Sequence, residues 1–115
     1  MSIEEMRKGI DTLQNEVDQL EFKKIPASCD VEVLDVKLGK DKNQKECLFV
    51  TYELIDGKYK GKFFIVKYTT YHYTETIRAL ETLKLKGFEK GQRLKLELTP
   101  FSMGFPRHLP VDVIE

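Results

Sequence analysis

Apolar residues recur along the start of the chain at alternating spacings of three and four: Ile3, Met6, Ile10, Leu13, Val17 and Leu20. That rhythm sets them on one narrow stripe of an amphipathic helix, and Ser2 followed by Glu5 supplies a capping box at its start. No proline interrupts it, and Gly9 weakens it by about 1 kcal/mol relative to alanine. At under three heptads such a helix is marginal alone, so the stripe has to pack on something. With Ile3, Ile10 and Val17 at a and Met6, Leu13 and Leu20 at d, a parallel homodimer is one solution. Glu16 would then face a second Glu21, so an antiparallel pair, or docking on the rest of the chain, serves equally. The helix is expected over residues 1–22, ahead of a body at 23–115.

At Ile25-Pro26 the rhythm changes, because the residue before a proline is pushed out of the helical region. Residues 29–37 alternate through Val31 and Val33 and then slip phase at Leu34 and Val36, which predicts a bent first strand with a β-bulge. Residues 38–45 form a polar loop, and Glu46–Asp56 reads as a second strand. Asp56-Gly57 is a strong two-residue turn signal, and a third strand follows over Lys58–Thr69. Thr74 can cap a helix over 75–86, with Glu75 in its first turn, Lys84 and Lys86 in its last and Gly87 beyond. Residues 92–99 alternate strictly and give a fourth strand. An eleven-residue connection, Pro100–Pro110, then leads to a last strand around Val111–Ile114. Five strands with a helix between the third and fourth is the plan of a mainly β, OB-type barrel. An open α+β sheet of similar content is the alternative.

A two-residue turn at Asp56-Gly57 fixes a register in which Ile55 faces Lys58, Glu53 faces Lys60, Thr51 faces Lys62 and Phe49 faces Phe64. Leu48, Val50, Tyr52 and Leu54 then line the core with Tyr59, Gly61, Phe63 and Ile65. The outer face presents Phe49, Phe64 and Tyr68 among Lys58, Lys60 and Lys62. Aromatic rings interleaved with ammonium groups are what single-stranded nucleic acid requires, since bases stack while phosphates are neutralised. Competing readings pair Lys60 with Glu53 or cover Phe49 and Phe64 with the leader helix. The first loop adds Lys37, Lys40, Lys42 and Lys45, and the last adds Phe101, Met103, Phe105, Arg107 and His108. Such loops wall the groove of an OB barrel. The candidate nucleic-acid-binding residues are therefore Lys40, Lys42, Phe49, Lys60, Lys62, Phe64, Tyr68, Phe101, Phe105 and Arg107.

Composition sharpens this only modestly. The 115 residues carry 19 basic and 19 acidic side chains, so whole-molecule attraction to nucleic acid cannot be claimed from net charge. The asymmetry is internal: residues 1–22 hold six acids against two bases, and 23–115 hold seventeen bases against thirteen acids, which points an anionic ligand at the body. Cys29 and Cys47 have no metal-ligand spacing and are expected as reduced, mostly buried thiols of a cytoplasmic protein, a cross-strand disulfide being the alternative. No signal-like or membrane-spanning run is present. His72 and His108 sit in no catalytic motif, so neither enzyme activity, metal nor cofactor is expected. The cluster Thr69-Thr-Tyr-His-Tyr-Thr74 reads as a hydrogen-bonded plug at one end of the barrel.

Ile25-Pro26-Ala27 entering the first strand, the lysine-rich loop, Gly57-Lys-Tyr-Lys-Gly-Lys-Phe63 and the helix after it resemble small phage OB-fold proteins that bind single-stranded DNA or accompany recombination, over roughly residues 24–87. The resemblance implies a homo-oligomer that protects single-stranded DNA in a bacterial cytoplasm during phage replication or recombination, alongside host or phage proteins of those processes. Tyr59, Gly61 and Phe63 match its pattern as framework positions. Two other functions stay open: a phage interaction module or inhibitor whose acidic leader engages a basic host protein, and a structural subunit of a phage assembly.

Overall fold

Alternation in the sequence becomes a sheet in which β1 is Ser28–Lys40, β2 Glu46–Leu54, β3 Phe63–Thr69, β4 Arg93–Thr99 and β5 Arg107–Val113, with one helix, α1, at Thr70–Thr82 between β3 and β4. A computed structural model describes residues 19–114. All five strands are antiparallel in the order β3-β2-β1-β4-β5. The protein is thus mainly β, as expected, and the sheet is not closed by backbone pairing. Among the described residues no helix is long and apolar enough to cross a membrane.

The predicted bulge in β1 is present: pairing with β2 slips between Val33 and Asp35. Ahead of it Val31 and Val33 are fully buried. The register of β2 on β3 differs from the expected one. Phe49 lies opposite Lys67, Thr51 opposite Ile65 and Tyr52 opposite Phe64. Residues 55–62 are a compact connection and not a two-residue turn: Gly61 N–H returns to Leu54 C=O at 2.8 Å, and Gly61 takes a φ of 88° that only glycine adopts freely. The offset is odd, so β3 turns over. Phe64, Val66 and Tyr68 enter the core in place of Phe63 and Ile65. Either set is apolar enough to be buried, which is why alternation alone could not choose.

Three predicted boundaries move with the hydrogen bonds. The helix starts at Thr70 and not at 75, because Thr69 is its N-cap in a capping box closed by His72. It ends at Thr82, where Lys84 takes a left-handed φ of 60° and Leu85 N–H reaches back to Leu80 C=O. The last strand begins at Arg107, four residues early. Pro110 is tolerated within it because β5 is an edge strand and carries a bulge between its pairs to Lys95 and Leu96.

The core joins Leu20, Val31, Val33, Val50, Tyr52, Leu54, Phe64, Val66, Tyr68, Leu94, Leu96 and Leu109, each large apolar side chain contributing about 1.5–3 kcal/mol by leaving water. Tyr68 Oη donates to the carbonyl of His108, so Tyr52 Oη donates to Tyr68 Oη at 2.8 Å. This chain satisfies two hydroxyls that would otherwise be buried without partners. Burial holds both phenols protonated, with pKa values raised. Cys29 and Cys47 are buried and free, and burial, with Asp30 beside it, pushes the Cys29 thiol up to about 11.

Gln19 to Glu21 are not helical, against the expectation of a helix reaching residue 22. Gln19 bridges Phe63 in parallel, Leu20 N–H donates to Phe63 C=O at 2.8 Å, Glu21 is extended, and Phe22–Lys24 form a single 3-10 turn. Leu20 is therefore a core residue of its own chain, 8% exposed, and not part of an oligomerisation stripe. Ile3, Met6, Ile10, Leu13 and Val17 lie outside the described residues.

Candidate nucleic-acid interface

The β1–β2 hairpin ends in a tight turn at 41–45, shorter than the polar loop expected over 38–45 because β1 continues to Lys40. The Asp41 carboxylate accepts the N–H groups of Asn43 and Lys45 at 2.8 and 3.0 Å, and these bonds, that from Lys45 foremost, hold its pKa below the usual range. Its lysines therefore stand on a rigid ribbon. Phe49 lies in the middle of β2, between Lys37 of β1 and Lys67 of β3 as its direct cross-strand neighbours. Its ring rests on Gly39: a Cβ added there would stand 2.9 Å from the ring. Glycine at 39 thus leaves room for the half-buried ring, with Lys37 and Lys67 on the neighbouring strands.

Beyond that end of the sheet, α1 and the β4–β5 connection, residues 100–106, converge. Tyr71, in the first turn of α1, is half exposed, with Lys45 Nζ 5.9 Å from its ring centroid. Phe105 and Met103 are 77% and 62% exposed. The backbone presenting Phe105 is pinned, because its carbonyl accepts a hydrogen bond from His72 Nε2 at 2.9 Å. Phe101 packs edge-on against the His72 ring, centroids 4.7 Å apart. Gly104, with a φ of 81°, brings the chain so close to His72 that a Cβ would meet Nε2 at 3.0 Å.

His72 is the joint of this end. A carbonyl can only accept, so Nε2 carries the proton, and Nδ1 is free to accept from Thr69 N–H at 3.0 Å, with the Thr69 hydroxyl 2.9 Å away. His108 is placed alike, its Nε2 donating to Pro26 C=O at 2.9 Å. Both rings are 1% exposed, and burial lowers both pKa values from the ordinary 6.5. Their contribution to stability is complete above about pH 6.5. It declines as the unfolded state takes up protons below that and is lost once pH passes the folded values. The urea midpoint should thus hold from pH 8 to 7 and fall toward pH 5, more steeply than in a His72→Gln/His108→Gln variant. Parallel profiles would show that the neutral rings are not linked to folding.

The predicted residues divide accordingly. Lys40, Lys42, Phe105 and Arg107 lie toward the end of the molecule where the hairpin turn, the start of α1 and the 100–106 connection meet, with Phe49 further along β2 beside Lys67. Phe101 is at that end too, but partly buried. Lys60 and Lys62 are exposed on the connection at the opposite end of β3. Phe64 and Tyr68 are fully buried, so the expectation that they stack on bases is corrected by the inverted register. Lys67 and Tyr71 escaped the sequence reading. Lys67 lay on the wrong face of that register, and Tyr71 was placed before the helix, although Thr69 and His72 at N-cap and N3 spacing could have moved its start. Among the described residues, Lys37, Lys40, Lys42, Lys45, Lys67 and Arg107 take part in no ion pair, the four pairs present lying elsewhere.

No protein-family model matches the chain, and neither the curated proteins nor the solved structures contain a match to it.

Proposed function

We propose that this chain is an OB-type barrel that binds single-stranded nucleic acid, DNA in the first instance, and catalyses nothing. The observation that carries the reading is Phe49, a ring laid on Gly39 between Lys37 and Lys67. A base stacked there contributes roughly 1–3 kcal/mol, with ammonium groups on both sides for the adjoining phosphates. Six cations in no ion pair among the described residues, Lys45 and Lys67 lying within reach of the Asp41 charge, and the exposed rings of Tyr71 and Phe105, continue the surface onto both loops. In the barrel reading, side chains close what the backbone leaves open: Arg107 Nε donates to Lys67 C=O at 2.6 Å, and Tyr68 to His108 C=O. The strand order fits, since β1 is shared by β2 and β4 and the two edge strands are the ones so joined. The motif resemblance over residues 24–87 supports a place in phage replication or recombination.

The test is a titration of labelled oligo-dT and a matched duplex at two salt concentrations. Binding should favour the single strand, with log affinity falling against log salt by about 0.7 per phosphate contacted. No binding of the single strand at low salt would overturn the reading and turn attention to a protein partner.

A further inference from the structure

The open seam between β3 and β5 is itself a cleft of about 190 Å³, lined by Phe22, Ile25, Ile65, Val66, Lys67, Arg107 and His108. At about 30 Å³ per water it has room for some six waters, the scale of a planar ring and not of a lone ion. Its walls are apolar: Phe22 is 59% exposed, Ile65 42%. The Phe22 ring stands edge-on to His108 at 6.2 Å. Both cations sit at one end. Arg107 is held by two carbonyls, Nε on Lys67 at 2.6 Å and Nη1 on Pro106 at 2.9 Å. That fixes the guanidinium while leaving its charge without a carboxylate among the described residues and part of its donor fork unused.

The floor adds a ring nitrogen and the edge of a strand. His108 spends Nε2–H on Pro26, so its Nδ1 remains an acceptor with no hydrogen bond among the described residues. On β3, the carbonyls of Phe63 and Lys67 point to the open edge, where they accept from Leu20 and Arg107. Strand alternation puts the N–H and C=O of Ile65 on that same edge.

We propose that this seam is a subsite for one nucleotide, the base lying between Phe22 and Ile65 over His108 and its phosphate on Arg107 and Lys67. The proposal rests on the nucleic-acid reading above and adds a position off the Phe49 face where one nucleotide leaves the stacked row. Lys67 touches both places and would hold the phosphate between them.

The test uses the isotopically labelled full chain, followed by NMR with the dinucleotide pTpT, with inorganic phosphate and with a twelve-residue oligo-dT. Saturable shifts at the Ile65 and Val66 amides and the His108 ring with pTpT, and not with phosphate, are expected. Arg107→Gln should weaken pTpT about tenfold. Oligo-dT binding that leaves those signals unmoved, with pTpT inert, would overturn the subsite while the Phe49 face stands. Shifts by pTpT without oligo-dT binding would keep the subsite as a mononucleotide site and overturn the extended face. Silence with both ligands would remove both. The wild-type titration decides the matter even if Arg107→Gln is destabilised by losing its bond to β3.

Discussion

Phe49→Ala is expected to weaken oligo-dT binding roughly ten- to a hundredfold, the loss of one stacked base at about 1–3 kcal/mol, while leaving the chain folded. The ring lies outside the buried cluster that forms the core and rests on a glycine, so its removal opens no interior cavity. The salt slope should be unchanged in this variant, because stacking releases no counterions. Lys37→Gln and Lys67→Gln should do the opposite, each lowering the slope by about 0.7 if its ammonium meets one phosphate. A Phe49→Ala protein that binds as tightly as the parent would remove the central support of the proposed function. Equal losses from all three substitutions with no change in slope would point to a distorted surface.

Phe64→Ala, in the next strand, should act on folding instead. Phe64 is fully buried, its ring centroid 5.5 Å from that of Tyr52 and 5.8 Å from that of His108. Truncating a buried phenylalanine costs about 3–5 kcal/mol, a large part of the roughly 5–15 kcal/mol that stabilises an ordinary domain. Urea unfolding should show a strongly lowered midpoint, or no cooperative transition. The two phenylalanines thus discriminate between registers. If Phe64→Ala kept parental stability and lost only binding, the outer face would be the one a two-residue turn at Asp56-Gly57 implies.

That contrast also marks how far the sequence could be read. Strands that alternate cleanly, 92–99 and the bulged 29–37, were legible to within a few residues, because only one of their faces is apolar. Residues 63–68, Phe-Phe-Ile-Val-Lys-Tyr, are apolar on both faces except at Lys67, so the connection had to choose, and its choice depended on Gly61 reaching back to Leu54 and not on the Asp56-Gly57 pair. The helix start was hidden by a histidine acting as the reciprocal partner of a capping box, a place where glutamate or glutamine is the usual signal. The lysines of the hairpin could be counted from the sequence. Their common end with Arg107 and Phe105 could not, since it depends on contacts that His72 makes across more than thirty residues.

β1 has a consequence for how the chain assembles. It is thirteen residues long, pairs with β4 through Ser28–Glu32 and with β2 from Val31 onward, and among the described residues is the only strand hydrogen-bonded to both the β2–β3 and the β4–β5 halves of the sheet. The β1–β2–β3 meander closes through short connections. The β1–β4 ladder has to bring Arg93 to Glu32, across most of the described chain. Loop-closure entropy delays such a pairing relative to local hairpins, and the exposed Glu32–Arg93 ion pair at 3.3 Å offers little to offset it. The meander, which carries Phe49 and its lysines, is therefore expected to form first. The β4–β5 hairpin, which carries Arg107 to the seam, is expected to dock afterwards.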